Sequence, residues 1–249
     1  MKDDSFYVGY ERKAQAPIAR KVRIAVIAVA SIAIASVFIM AFAQRSFEDS
    51  YFEIGKARDF EGVITSRPFP RLLVTRPGTP ISYSHYTLTG KGKHGVQTVA
   101  REFDGRLVRL RGKLIYRDGI TMIELEPDTV VVFPSGERPS GTPEWLGPTT
   151  LRGEIVDSKC YLGMMNPGHT KIHRDCAARC ISSGIPPMFV VQDPNGGAQA
   201  YWLVMESGRP IGAEVIDKVG EPLEIAGEIR KEGDQLFFRA DPGTYKRVQ

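Results

Sequence analysis

The chain has 249 residues, 42% hydrophobic and 25% charged, enough to bury one large core or two small ones. Its formal net charge of +4 includes six basic residues ahead of residue 24 (Lys2, Arg12, Lys13, Arg20, Lys21 and Arg23), so the remainder is near neutral and carries no footprint for nucleic acid. There is no Gly-x-Ser-x-Gly, no His-Glu-x-x-His and no phosphate-binding glycine loop, and no nucleophile–base pair can be named, which favours a non-enzymatic role.

Ile24 to Ala43 has no charge and only Ser31 and Ser36 as polar residues. Twenty helical residues rise about 30 Å, the depth of a bilayer core, so the reading is a transmembrane helix over 24–43. Lys and Arg crowd its N-terminal flank, and the flank after it is mostly acidic. The positive-inside rule then makes residues 1–23 a cytoplasmic tail and places the bulk of the chain outside. The alternative is a cleaved signal peptide, since Ala41-Phe42-Ala43 before Gln44 has the small-x-small form of a cleavage site. Residues 44–59 read as a juxtamembrane connector whose Phe47, Tyr51 and Phe52 suit the membrane interface.

From Phe60 the pattern is mainly β: short alternating runs between Gly, Pro, Asn and Asp. The runs Phe60–Ser66, Arg71–Thr75, Ser82–Thr89, Arg106–Tyr116 and Thr121–Phe133 make a first module over 60–133. A Pro/Gly-rich passage over 134–149 reads as an extended linker. A second module over 150–249 follows, with strands at Leu151–Asp157, Met188–Gln192, Ala200–Met205, Pro222–Arg230 and Gln235–Arg239. The basic run Arg101, Arg106, Arg109, Arg111, Lys113 and Arg117 reads as a solvated face.

The second module repeats the first. Tyr86-Thr87-Leu88 matches Tyr201-Trp202-Leu203, and Gly105, Gly112, Leu110, Leu114 and Pro127 match Gly220, Gly227, Ile225, Ile229 and Pro242, all at an offset of 115. The opening strands, Phe60-Glu61-Gly62-Val63-Ile64 and Leu151-Arg152-Gly153-Glu154-Ile155, match at an offset of 91. The second copy therefore carries 24 extra residues between its first strand and Tyr201. Two glycine-punctuated five-strand modules resemble the oligonucleotide/oligosaccharide-binding (OB) barrel, in which the loop after the first strand is a usual binding position. An SH3-like barrel is the alternative.

The extra residues hold all three cysteines and two of the four histidines, in an insertion over 158–187. Pro167-Gly168 can open a helix near His169, and Gly184 with Pro186-Pro187 can stop it. On that helix His169, His173, Cys176 and Cys180 form a stripe about 60° wide, over which Cys160 can fold, with Met164 and Met165 between. Thiolate with imidazole suits copper, zinc or an iron–sulfur cluster. The expected ligands are Cys160, His173, Cys176 and Cys180, with His169 or, less firmly, Met164 or Met165 as the alternate donor. Asp157 and Asp175 read equally as supports for a histidine ring or as helix caps. A disulfide from Cys160 to Cys176 or Cys180 is the competing explanation, and thiol redox chemistry a third. His85 and His94 read as ordinary surface or internally satisfied residues.

Cys176-x3-Cys180 with a nearby histidine is similar to two groups of exported copper proteins, the binuclear copper domain of cytochrome oxidase and its copper-delivery thiol proteins. His173, however, precedes the pair, and no thioredoxin-like pattern surrounds it. The resemblance implies copper in an exported compartment. The segment from Gly153 through Cys160-Tyr-Leu-Gly-Met164, His173-Arg-Asp-Cys176-Ala-Ala-Arg-Cys180-Ile181 and Gly184-Ile-Pro-Pro187 resembles a group of membrane-anchored bacterial proteins of no assigned activity, over roughly 151–191. This implies a bacterial envelope protein. The combined expectation is a single-pass inner-membrane protein, N-terminus inside, that binds metal outside the cytoplasm. It would serve electron transfer or metal delivery to, or assembly of, a membrane-bound redox complex. The alternative is a binding or assembly module whose cysteines staple the insertion.

Overall fold

The computed structural model describes residues 16–43, 50–76, 83–134, 141–193 and 197–248. The chain divides into two units, Met1–Glu48 and Asp49–Gln249. The first contains helix α1 (Ala16–Ala43), 28 residues long, which starts earlier than expected and takes in Arg20, Lys21 and Arg23. It is long and apolar enough, at a mean hydropathy of 2.7, to cross a membrane or to serve as a signal sequence. Lys2, Arg12, Lys13, Gln44 and Phe47, used in the topology argument, lie outside the described residues.

The second unit holds, in order, β1 (Ser50–Phe52), β2 (Arg58–Thr65), β3 (Arg71–Thr75), β4 (Tyr83–Thr89), α2 (Gln97–Glu102), β5 (Leu107–Arg117), β6 (Ile120–Leu125), β7 (Val131–Val132), β8 (Glu144–Asp157), α3 (Arg174–Ser182), β9 (Pro187–Gln192), β10 (Ala198–Met205), β11 (Leu223–Glu232), β12 (Gln235–Ala240) and β13 (Lys246–Arg247). Strands β2, β3, β4, β6 and β5 pair in that order and close back on β2; β8, β9, β10, β12 and β11 do the same. In each ring the third and fifth strands are parallel and every other pair is antiparallel. Each ring is a five-stranded, OB-like barrel.

Strand register shows the repeat directly. Thr87 faces Met122 across the parallel pair of the first barrel and Trp202 faces Phe237 in the second, both at the offset of 115. Gly62 faces Val108 as Gly153 faces Leu223, joining the offsets 91 and 115. These two glycines are needed for close approach: a Cβ on Gly62 would run into the carbonyl oxygen of Leu73, and one on Gly153 into that of Val190. In β9 the offset is 117, because Val63 faces Leu73 where Glu154 faces Val190. Twenty-six residues thus enter between β8 and β9, and two are lost before β10.

Several boundaries differ from the sequence reading. The expected strand 121–133 breaks into β6 and β7 around Asp128, whose φ is 56°. The end of the expected linker is strand: β8 starts at Glu144, paired with Lys231 of the long β11. Ser135 to Ser140 lie outside the described residues. The expected connector contributes β1, which pairs with β5. There Tyr51 packs on Tyr116 with ring centroids 5.6 Å apart, and Phe52 packs into a core. Backbone pairing and a partner ring thus hold these aromatics on the barrel.

Each barrel has its own core, Ile64, Leu72, Leu88, Val108, Leu110 and Ile123 in the first and Ile155, Phe189, Leu203, Leu223, Ile225 and Phe238 in the second. A third core joins them, in which Phe69, Ile115 and Met122 meet Met188, Val190, Trp202 and Phe237. Polar contacts rim this junction. Arg71 reaches Glu232 at 3.1 Å, and His85 meets Asp234 at 3.1 Å through both its ring Nδ1 and its backbone N–H. His85 is therefore buried and satisfied.

Candidate metal centre

The insertion leaves the second barrel at Asp157 and returns at Pro187, and Ser158 ties its ends by donating to the Pro186 carbonyl at 2.7 Å. Cys160 opens a π-helical turn, Cys160–Met164. After an irregular stretch come a 3-10 turn, Lys171–His173, and α3. Two stripes of α3 have separate tasks. Ala177 and Ile181, one turn apart, insert into the core of the second barrel. Cys176 and Cys180, displaced by one residue, face Cys160.

The three cysteines are free thiols, and their sulfurs lie within 4.8 Å of one another. Cys160 Sγ is 4.0 Å from Cys176 Sγ. An ion bound about 2.3 Å from each of three sulfurs holds them about 3.7–4.0 Å apart, so the spacing is that of a site needing little closure. Cys160 and Cys180 are buried, and Cys176 is half-buried. The hydrogen bond between Cys160 and Cys180 splits their acidities. It pushes the Cys160 thiol up, helped by burial and by Asp157. It pulls Cys180 down against its burial, with Lys93 adding to the effect. Of the two, Cys180 is the readier to ionise.

Asp157, fully buried, joins the thiols to a histidine. Its Oδ1 accepts from the Cys160 backbone N–H at 2.9 Å, and its Oδ2 lies 3.0 Å from His173 Nε2. Asp157, Cys160 and His173 form a second group that could hold an ion, again within 4.8 Å. The carboxylate acts as cap and as histidine partner at once, the two roles the sequence left open. Asp175 sits in the first turn of α3.

His169 is not on the helix. Thr170 has φ 70° and donates its N–H to Glu154 at 2.9 Å, so the helical path starts only at Lys171. His169 Nδ1 lies 3.3 Å from Glu154 Oε1, outside both groups. Met164 packs beside Cys160 and Cys180, whereas Met165 is 47% exposed.

No pattern in the sequence shows that the first barrel forms one wall of this site. Its loop after β4, Gly90 to Val96, lies against the insertion. Lys93 Nζ donates to Cys176 Sγ at 2.9 Å, a contact that raises the lysine pKa. The Gly95 N–H donates to the Ser183 carbonyl at 2.9 Å, and Gln97 Nε2 donates to that of Gly184. From the other side, buried Lys159 donates to the carbonyls of Gly90 and Gly92 at 2.7 and 2.8 Å and to Glu124 Oε2 at 2.6 Å. Next to it, Tyr161 and Leu162 are buried in the core between the barrels. Arg117 lies 4.2 Å over the Tyr161 ring and donates to its carbonyl. Arg117 therefore leaves the solvated face expected of the basic run, while Arg109 pairs with Glu61 and Arg111 with Asp59 in the open.

This Cys/His cluster could hold a metal ion. Comparison with protein families and with curated proteins finds no match. Among solved structures, the chain is similar to a deletion mutant of the single-stranded DNA-binding protein from Thermus aquaticus, at 13% identity. The match covers 81% of this chain and 88% of that one with a TM-score of 0.23, too low to carry an argument.

Proposed function

We propose that the chain is a membrane-anchored, extracytoplasmic protein of the bacterial inner membrane that binds a soft metal ion, copper before zinc or an iron–sulfur cluster, through Cys160, Cys176 and Cys180. The convergence of three free thiols from two separate elements carries this reading. His173, held by Asp157, is the fourth donor or orients the site from behind. Soft sulfur donors favour copper(I) or zinc, and an exported compartment, implied by the N-terminal helix and its basic flank, adds weight to copper. A half-buried site at the junction of two rigid barrels suits electron transfer or hand-over of an ion to a membrane-bound redox complex.

The test is the metal content of the full chain, purified in detergent under reducing, chelator-free conditions. About one ion per chain is expected, lost in Cys176→Ser and kept in Met165→Ala. A metal-free wild-type protein rejects the reading. A second reading, an assembly module with a stapled insertion, is favoured by the burial of Tyr161 and Leu162 between the barrels and by the 4.0 Å gap between Cys160 and Cys176. Thiol counting under denaturing conditions separates the two: three thiols support the metal site, one thiol and a disulfide the staple.

A further inference from the structure

A cleft of about 740 Å³ lies between the barrels, away from the thiol face of α3. Its apolar lining includes Phe69 from the first barrel and Ile181 and Leu203 from the second. Its polar lining includes three guanidinium side chains, Arg67, Arg101 and Arg209, and no carboxylate. None of the three forms an ion pair among the described residues, although Glu214, outside the lining, lies within electrostatic reach of Arg209. Arg209 reaches only Ser207 and Met205, through weak contacts at 3.4 Å. Many other arginines do pair with an acidic residue, namely Arg58, Arg71, Arg109, Arg111, Arg152, Arg174, Arg230 and Arg247, and those that do not, such as Arg106 and Arg179, are not gathered around a recess. Three unpaired cations around a recess concentrate positive potential where low-dielectric walls screen it poorly. The volume is that of a small-molecule site.

We infer that this cleft binds a small organic dianion with an apolar body, such as a phosphomonoester. The guanidinium groups offer paired N–H donors to the acidic oxygens, and Phe69, Ile181 and Leu203 cover the carbon skeleton. The site does not depend on the metal reading. It does adjoin it, because Ile185, another wall residue, packs directly against Cys160 and Cys180.

Isothermal titration of the full chain in detergent with phenyl phosphate tests the inference. Saturable binding with one site per chain is expected, weaker for inorganic phosphate and absent for phenol. The double variant Arg101→Gln/Arg209→Gln loses at least about tenfold in affinity, as expected for removing charged donors. Arg152→Gln, an arginine outside the cleft paired with Glu224, leaves affinity unchanged. No saturable binding, equal affinity in the double variant, or the same loss in Arg152→Gln would overturn the proposal. Because the substituted arginines are exposed, an unchanged melting temperature shows that any loss comes from the cleft.

Discussion

The two barrels share register and glycine positions, yet their first loops are unlike. Between β2 and β3 the first barrel spends five residues, Ser66 to Pro70. Between β8 and β9 the second spends 29, Ser158 to Pro186. The short loop packs Phe69 against Trp202, at a centroid distance of 4.8 Å, and is a structural contact. The long loop carries the thiols and, in Tyr161 and Leu162, part of the same junction. A barrel closes with either loop, since its strand pairing is complete without it. The junction between barrels does not, so the insertion joins chemistry to architecture.

The sharpest way to break the comparison is to give the second barrel the short loop of the first. The insertion read as an appendage predicts two intact barrels. The buried side chains predict otherwise, because Tyr161 and Leu162 each contribute about 1.5–3 kcal/mol on burial and their loss uncovers Met122 and Trp202. Thermal unfolding followed by circular dichroism should show a large drop in melting temperature or no cooperative transition. Next in size is Lys159→Met, which leaves Glu124 buried without its partner and should cost about 3–5 kcal/mol in urea unfolding. Adding Glu124→Gln should recover part of that loss.

Smaller effects sharpen the division of labour. Lys93→Gln removes the cation beside Cys176, and alkylation of the reduced, metal-free protein by iodoacetamide should slow by a few fold. The fold itself should be unaffected. The mildest test is pH, at the contact between β4 and the β11–β12 turn. Burial lowers the pKa of His85 below its ordinary 6.5, and the hydrogen bonds from His85 lower that of Asp234 despite its burial. For both groups the unfolded chain binds more protons, so this part of the stability is present at neutral pH and is lost as pH falls. Urea midpoints should decline from pH 6.5 downward through His85, and again below the ordinary carboxylate range through Asp234. His85→Gln should flatten the first step.

Much of the architecture is legible without coordinates. Glycines 62, 112, 153 and 227 mark places where a partner strand leaves no room for a Cβ, and their spacing exposes the repeat and the position of the insertion. The three thiols are legible as a cluster because they are close in sequence. Helical spacing brings His173 close to the thiols, whereas His169 stands before the helical path, which begins only after Thr170 with its φ of 70°. Lys93, Lys159 and Glu124 were illegible, as their partners lie 83, 67 and 35 residues away and none shares a motif.

The sequence by itself determined an apolar helix, two copies of one OB-like barrel and a thiol-rich insertion in the second, because these follow from local periodicity and from matches along one chain. Only the tertiary structure decided that the first barrel packs against the site. A buried ammonium on Lys159 must find acceptors, and the carbonyls of Gly90 and Gly92 with Glu124 supply them. Satisfying that one charge brings Lys93 to Cys176, and the cost of burying an unpaired charge is a long-range constraint that no local pattern records.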